Sequence, residues 1–156
     1  SLATVHAMLS LSEWRPVRLD DLCSRVISSV AGVSAASPRH LHVAGSPVVV
    51  DANQAHNLAL VLSELATNTL KYGTDPKRPT IRVAFEQTDR DVLLTYRDEG
   101  PGFPAAVLEG TGSAERVGLQ LIRGLVYQSL RGEITLSNDG GAVVAIRFPL
   151  GAQGEQ

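Results

Sequence analysis

Hydrophobic positions along this chain follow two periodicities, one helical and one typical of strands. Apolar residues three and four positions apart indicate helices, whereas alternation of apolar and polar residues indicates half-buried strands. Helical spacing extends over residues 1–10, 17–32, 51–72 and 117–130. Strand-like alternation or short β-rich runs extend over residues 39–45, 47–50, 79–87, 91–98, 132–138 and 142–150.

The segment 51–72 is predicted to form the longest helix. Asp51 is a suitable N-cap, and Gln54 follows three residues later, as in a capping box. The helical pattern stops at Gly73, a residue type that commonly follows the end of a helix.

The order of these elements predicts an α+β fold. Helices are expected to pack on one face of a mixed, mainly antiparallel sheet, giving a two-layer α/β sandwich. Residues 99–117 are rich in glycine and proline and are predicted to form a loop with a short helix near 104–109. Residues 139–141 form a turn signal for a closing hairpin. Loop composition suggests that the first ~35 residues are a separate helical piece.

Composition and charge narrow the classes of function. The chain has 156 residues, a hydrophobic fraction of 44% and a net charge of −2. The weak charge and the few aromatic residues argue against binding to nucleic acid or to an anionic membrane. No apolar run approaches the ~20 residues of a membrane span, and no signal peptide is evident. Cys23 is the single cysteine, which fits a reducing cytoplasm.

A polar edge on the 51–72 helix is the first candidate for chemistry. At about 100° per residue, a broad apolar stripe forms the core face, and Asn57, Glu64, Asn68 and Lys71 fall on a narrow stripe beside it. Such an edge can line a cleft. From spacing alone, the interpretation that these are polar residues in solvent is favoured until the other motifs are considered.

Two glycine-containing segments supply further candidates. "YRDEGPGF" ends a strand at Asp98 and continues into glycines that permit a sharp turn and close approach of a ligand. "GTGSAERVGLQLI" leads into a helix, and Gly118 lies near its N-terminus, where free N–H groups favour phosphate. Each motif alone is weak, since a turn without function and a glycine-rich helix entry are both common.

Together the three motifs predict a nucleotide site. An amide and a carboxylate can hold a partly hydrated Mg²⁺, because that ion prefers oxygen ligands. A carboxylate beside Gly-x-Gly can accept a hydrogen bond from an adenine amino group, and the glycine-containing helix entry can surround a triphosphate.

The segments "SELATNTLKYG", "DEGPG" and "VGLQLI" resemble the N, G1 and G2 boxes of the GHKL ATPases, which share the Bergerat fold. The resemblance covers nearly the whole chain and is closest to sensor histidine kinases of the HisKA_2 and HWE-like group. The resemblance implies that the chain consists of three parts. Residues 1–34 resemble the end of a dimerisation and phosphoacceptor helical hairpin with its linker, residues 35–150 the ATP-binding catalytic domain, and residues 151–156 a disordered tail.

The resemblance implies catalytic roles for the polar edge. Asn68 would ligate Mg²⁺ at the phosphates, and Glu64 would assist the transfer as a base or polarising group. Lys71 would lie near the phosphates and Tyr72 near the nucleotide.

The resemblance also implies contacts with ATP on the other side of the site. Asp98 would accept a hydrogen bond from the adenine amino group, and Gly100 and Gly102 would shape that pocket. Residues 103–117 would form a lid over ATP. The implied phosphate contacts in or beside this lid are Arg116, Gly118 and Leu119.

The implied reaction is transfer of the ATP γ-phosphate to a histidine and then to an aspartate of a response regulator. No His-Arg-x-x-Asn motif is found in the chain, so the acceptor histidine would lie outside it. The implied partners are a response-regulator receiver domain and a second copy of the full-length protein, joined through the hairpin, in a bacterial cytoplasm.

The chain departs from the family pattern at several positions, Thr69 and Ala142 among them, and two alternatives stay open. Thr69 stands where the N box usually has alanine, and Ala142 stands where the final hairpin usually has threonine. The alternatives are a GHKL Ser/Thr protein kinase of the anti-sigma-factor type and a degenerate, non-catalytic ATP-binding or docking module.

Overall fold

The computed structural model describes residues 16–33, 40–73, 80–110 and 117–151. A short π-helical segment, Leu125–Ser129, directly follows the last helix. The helices are α1 (Leu19–Ala31), α2 (Ala52–Tyr72), α3 (Ala105–Leu108) and α4 (Val117–Gly124). The strands are β1 (Val17–Arg18), β2 (Leu41–Val43), β3 (Val49–Val50), β4 (Ile81–Thr88), β5 (Asp91–Asp98), β6 (Glu133–Asn138) and β7 (Ala142–Pro149).

Five strands form the main sheet in the order β2-β4-β5-β7-β6. The β2–β4 pair is parallel, and the other three pairs are antiparallel. A separate antiparallel pair joins β1 to β3. The prediction of a mixed, mainly antiparallel sheet is therefore confirmed.

The two ends of α2 form as the sequence predicts. The Gln54 backbone N–H donates to the Asp51 carboxylate at 2.8 Å, and the Gln54 side chain accepts in return from the Asp51 N–H at 3.4 Å. At the other end the Gly73 N–H donates to the Thr69 carbonyl at 2.9 Å. The capping box satisfies two of the free donors at the start of this helix.

One hydrophobic core lies between the helices and one face of the main sheet. Alternate residues of β5 point into it, including Val92, Leu94 and Tyr96, while the residues between them are more exposed. Helix α2 lies between α1 and α4 and presents Leu58, Val61, Leu62 and Leu65 to the interior. The predicted two-layer arrangement is confirmed.

Helix α1 belongs to this same core. Five of its side chains are at most 1% exposed: Leu19, Leu22, Cys23, Val26 and Ile27. Strand β1, just before it, pairs with β3. The expected boundary between residues 34 and 35 would leave α1 outside a core that it shares, and we propose that the ATP-binding domain includes α1. Apolar periodicity shows that a helix has a buried face but not which element covers it.

Two helices differ from their predicted extents. The predicted helix 17–32 begins at Leu19, because Val17 and Arg18 pair with β3 instead. The predicted helix 117–130 keeps α-helical geometry to Gly124 and then continues as the π-helical segment. The predicted helix 1–10, the lid residues 111–116 and the tail after residue 151 lie outside the described residues. No described helix is long and apolar enough to cross a bilayer.

Candidate functional site

An open cleft of about 360 Å³, counted to its mouth, lies between α2, the end of β5 and the start of β7. Its walls are lined by Leu65, Asn68, Thr69, Tyr72, Gly73, Tyr96, Asp98, Gly102, Phe103, Ala142 and Val144. The N-box and G1-box segments, 30 residues apart in sequence, therefore meet here.

Asp98 is the buried acid of this cleft and is 7% exposed. Its Oδ1 accepts hydrogen bonds from the backbone N–H groups of Gly100 at 3.0 Å and Ala142 at 3.2 Å. Its Oδ2 accepts from the Thr69 hydroxyl at 3.0 Å. Three donors from three parts of the chain thus fix the carboxylate, as a buried charge requires.

A buried hydrogen-bond chain continues from Asp98 into the core. The Tyr96 hydroxyl lies 2.7 Å from the Thr69 hydroxyl oxygen. Burial raises the pKa of Tyr96; the Thr69 hydrogen bond lowers it by a smaller amount and the nearby Asp98 charge raises it further. Tyr96 is therefore neutral and keeps its proton for this chain of hydrogen bonds.

Glycine is required at positions 100 and 102 for different structural reasons. A Cβ on Gly100 would lie closer than 3.0 Å to backbone atoms of Gly73, so the end of α2 and the loop after β5 touch directly. Gly102 has φ +85°, a conformation that other residues rarely adopt. Gly102 lines the cleft wall, whereas Gly100 contacts Asp98 through its backbone N–H.

Asn138, at the end of β6, holds the loop after β5 in place. Its Oδ1 accepts from the Phe103 N–H at 2.7 Å, and its Nδ2 donates to the Phe103 carbonyl at 3.0 Å. This two-point contact positions Phe103, which lines the cleft. No sequence signal indicates this role for Asn138, because only the pairing of β6 with β7 brings it beside a loop 35 residues away.

Tyr96 and Ala142 were also missed as cleft residues. A sequence signal existed for Tyr96, since it shares the inward face of β5 with Asp98 two residues later. Ala142, which stands where the family's final hairpin usually has threonine, lies in the cleft wall.

The polar edge of α2 faces the N-terminus of α4. A Cβ added to Gly118 would lie 2.8 Å from Glu64 Oε2 and 3.6 Å from Asn68 Oδ1. The absence of a side chain at Gly118 therefore leaves the helix start close to both polar groups. The predicted meeting of the N-box and G2-box segments is present in the structure.

Asn68 carries an unusual polar atom. Its Nδ2 is buried and has no hydrogen-bond partner among the described residues. An unsatisfied buried amide costs about 1–3 kcal/mol. The amide therefore has an unused N–H donor near Gly118, at the start of α4, which a ligand or its hydration shell can satisfy.

The donor set suits Mg²⁺ better than a metal held by the protein alone. No cluster of three or more His, Cys, Asp or Glu side chains able to hold a metal lies within the described ranges. Mg²⁺ usually takes one or two protein oxygens and completes its shell with water and phosphate. Asn68, with Glu64 nearby, fits that pattern.

The remaining predicted residues occupy different environments. Tyr72 lines the cleft and is 47% exposed. Lys71 is exposed and is not among the residues of the cleft wall. The Leu119 side chain is fully buried in the core, so only its backbone is available to a ligand. Arg116 lies outside the described residues.

Comparisons with known proteins agree with this geometry. A sequence profile of the family described as "Histidine kinase-, DNA gyrase B-, and HSP90-like ATPase" matches residues 53–152. The sensor histidine kinase PdtaS of Mycolicibacterium smegmatis is 30% identical over 156 residues, which cover 97% of this chain and 31% of the relative. PdtaS of Mycobacterium tuberculosis is 28% identical over 159 residues, covering 99% and 31%. The chain thus spans about a third of the length of these curated relatives.

Solved structures show the same fold. The ATP binding domain of PrrB from Mycobacterium tuberculosis gives a TM-score of 0.69 at 21% identity, covering 88% of this chain and 98% of that one. The blue-light activated histidine kinase EL346 of Erythrobacter litoralis also gives 0.69 at 21% identity, covering 95% and 51%. The profile match covers more than half of the chain and includes α2 and the strands that form the cleft. The chain therefore belongs to the histidine kinase-, DNA gyrase B- and HSP90-like ATPase family.

Proposed function

We propose that this chain is the ATP-binding catalytic portion of a two-component sensor histidine kinase. It transfers the γ-phosphate of ATP to a histidine outside this chain, and that phosphate then passes to an aspartate of a response regulator. The observation that carries the proposal is that Asn68 and Asp98 line one cleft, while the N-terminus of α4 adjoins Asn68.

The base is recognised at Asp98. Its carboxylate is buried, fixed by three donors and open to the cleft, so it suits the exocyclic amino group of adenine. Gly100 and Gly102 let the chain turn beside the base, and Tyr72 adjoins the nucleotide.

The phosphates are held where α2 meets α4. The first backbone N–H groups of a helix have no acceptor within it, so those of Gly118 and Leu119 suit phosphate oxygens, helped by the helix dipole. Lys71 and Arg116 add positive charge, and Glu64 acts as a base or polarising group. When Mg²⁺ is bound, it neutralises charge that develops on the phosphates, and Asn68 is its protein ligand.

Substitution of Asn68 tests the site. We expect Asn68→Ala to reduce Mg²⁺-dependent ATP affinity at least roughly ten-fold, equivalent to ~1.4 kcal/mol, because the ion loses its protein ligand. Isothermal titration with ATP in Mg²⁺ and in EDTA measures this. Asn53→Ala, an exposed amide of the same helix, is the control and should bind like the parent chain. Equal affinities in Asn68→Ala and the parent would show that Asn68 is not the metal ligand.

The chemistry of the phosphorylated product tests the acceptor. The full-length protein that contains this chain should incorporate radiolabel from γ-labelled ATP into a bond that is labile in acid and stable in base, as a phosphorylated imidazole is. Addition of its receiver domain should then remove the label. An acid-stable label would instead indicate a Ser/Thr kinase, and ATP binding with no label would indicate a non-catalytic module. We place this activity in the bacterial cytoplasm, in a dimer formed through the hairpin of the full-length protein.

A further inference from the structure

We propose that Thr69, held by Tyr96, is a positioning residue that sets the base selectivity of the cleft by fixing the Asp98 carboxylate. The inference rests on the proposed nucleotide-binding function and adds to it a hydroxyl that acts only through Asp98. Thr69 and Tyr96 are 1% and 2% exposed, so bulk water cannot replace either hydroxyl.

The hydrogen-bond chain has one possible direction. An ionised carboxylate only accepts hydrogen bonds, and a threonine hydroxyl carries a single proton. The Thr69 proton must therefore point to Asp98 Oδ2, 3.0 Å away. The Tyr96 hydroxyl, 2.7 Å from Thr69, must then donate to Thr69. The chain runs Tyr96 to Thr69 to Asp98, and the carboxylate is its end.

This direction leaves Asp98 with one unused acceptor position. A carboxylate offers about four lone-pair positions. Gly100 and Ala142 occupy two of them on Oδ1, and Thr69 occupies one on Oδ2. The remaining position on Oδ2 can take one donor from a ligand in the cleft. An amino group at the purine 6-position supplies such a donor, whereas a 6-oxo group presents an acceptor and is repelled.

Loss of the Thr69 hydroxyl removes this restriction. Oδ2 then has two unfilled positions, and the described hydrogen bonds that remain hold the carboxylate only through Oδ1. The Tyr96 hydroxyl also loses its acceptor in a buried place. The cleft would keep its charge but would lose the single fixed acceptor that distinguishes an amino group from an oxo group.

The experiment compares ATP with inosine triphosphate, in which a 6-oxo group replaces the amino group. We expect Thr69→Ala to bind ATP about ten-fold more weakly, a change of ~1.4 kcal/mol, while binding inosine triphosphate no more weakly than the parent chain. The ratio of the two Kd values therefore falls about ten-fold. Thr69→Ser keeps the hydroxyl and should restore the ratio. Thr67→Ala is the matched control, since the Thr67 hydroxyl donates to the Ser63 carbonyl within α2.

An equal loss of affinity for both nucleotides in Thr69→Ala would overturn the proposal, because it would show a general structural effect. An unchanged ratio, or failure of Thr69→Ser to restore it, would also overturn it. The double variant Thr69→Ala with Tyr96→Phe removes the unpaired buried hydroxyl and should give the same lowered ratio. If Thr69→Ala alone does not fold, the ratio of Kd values measured for this double variant tests the proposal instead.

A measurement without nucleotide separates this inference from the proposed function. Amide hydrogen exchange at Gly100 and Ala142 reports the bonds to Asp98 Oδ1, and both should exchange faster in Thr69→Ala. Ala44 lies away from the cleft, and its N–H donates to the Val83 carbonyl at 2.9 Å. Its exchange rate therefore serves to correct the other two rates for changes in overall stability. Unchanged exchange at both sites overturns the positioning role. Absence of binding of either nucleotide to the parent chain would overturn the proposed function, and the selectivity role with it.

Discussion

At the scale of single residues, the site depends on Asp98 and on the groups that hold it. A buried carboxylate is costly unless hydrogen bonds compensate for lost water. Here the Thr69 hydroxyl and the backbone N–H groups of Gly100 and Ala142 supply them. The acid and its neighbouring glycines were predicted from the DEGPG motif. The role of Thr69 was not predicted, because its position on the core side of α2 gave no sign of a contact with β5.

The contact between Gly100 and Gly73 gives the first prediction at this scale. A Cβ on Gly100 would overlap the Gly73 backbone, which cannot rotate away as a side chain can. We expect Gly100→Ala to lower the free energy of unfolding by about 1–3 kcal/mol and Tm by about 2–4 °C per kcal/mol. Differential scanning calorimetry measures the change.

The control for that substitution is Gly45→Ala. No atom lies within 4 Å of a Cβ at Gly45, and its φ is not positive. The added methyl should leave Tm nearly unchanged or slightly raised, because alanine restricts the unfolded chain. Equal Tm values for Gly100→Ala and Gly45→Ala would contradict the close approach of the two loops.

At the scale of elements, the Asp20 carboxylate links the start of α1 to the loop before β3. Asp20 accepts from both the Nε and an NH2 group of Arg18, at 3.1 and 2.7 Å, and from the Ser46 N–H at 2.9 Å. Arg18 also donates to the Ser46 carbonyl at 3.0 Å. Periodicity predicted that a helix exists here, but the residues that fix its entry were not identifiable, since Ser46 is 26 positions away.

This attachment predicts a dependence of stability on pH. Burial tends to raise the pKa of Asp20, but hydrogen bonds from Arg18, Ser46 and Asp21, with the Arg18 charge, together hold the pKa below its usual value. A folded-state pKa below the unfolded one stabilises the protein above the unfolded pKa of ~3.9. This stabilisation is lost as the pH falls through the folded pKa.

Comparison of Asp20→Asn with the parent chain in urea at several pH values measures this contribution. The parent should be more stable at pH 7, and the difference should shrink below about pH 4, where the unfolded-state carboxyl becomes protonated. Asp21→Asn, at the neighbouring exposed acid, is the control and should show a smaller difference at pH 7. A difference for Asp20→Asn that stays constant from pH 7 to pH 2 would rule out this carboxylate as its source.

At the scale of the whole molecule, the described residues share one hydrophobic core that includes α1. The fold class and the order of the main strands and helices follow from periodicity, so most of the architecture was predictable. The inclusion of α1 in this core was not predictable from periodicity. A sequence pattern shows that α1 needs a covering surface, and only the structure shows that α2 provides it.

Cys23 offers a measurement of this shared core. The thiol is fully buried, and burial raises its pKa, so the folded protein should not react with thiol reagents. We expect labelling of Cys23 in urea to follow global unfolding and to be slowed by ATP with Mg²⁺ by the factor by which these ligands stabilise the fold. Labelling at urea concentrations below those of global unfolding, at a rate that ATP does not change, would mean that α1 opens separately from the ATP-binding part.

The sequence by itself determined the types of element, the capping of α2 and the chemical groups of the site. These depend on spacing within one segment, where backbone geometry alone decides which residues share a face. Tertiary structure decided which groups meet: Thr69 with Asp98, Asn138 with Phe103, and Gly118 with the polar edge of α2. These contacts join segments 29 or more residues apart in sequence, and their geometry is set by strand pairing and by packing of the core. No local pattern encodes such distances, so the completed site is a property of the folded chain.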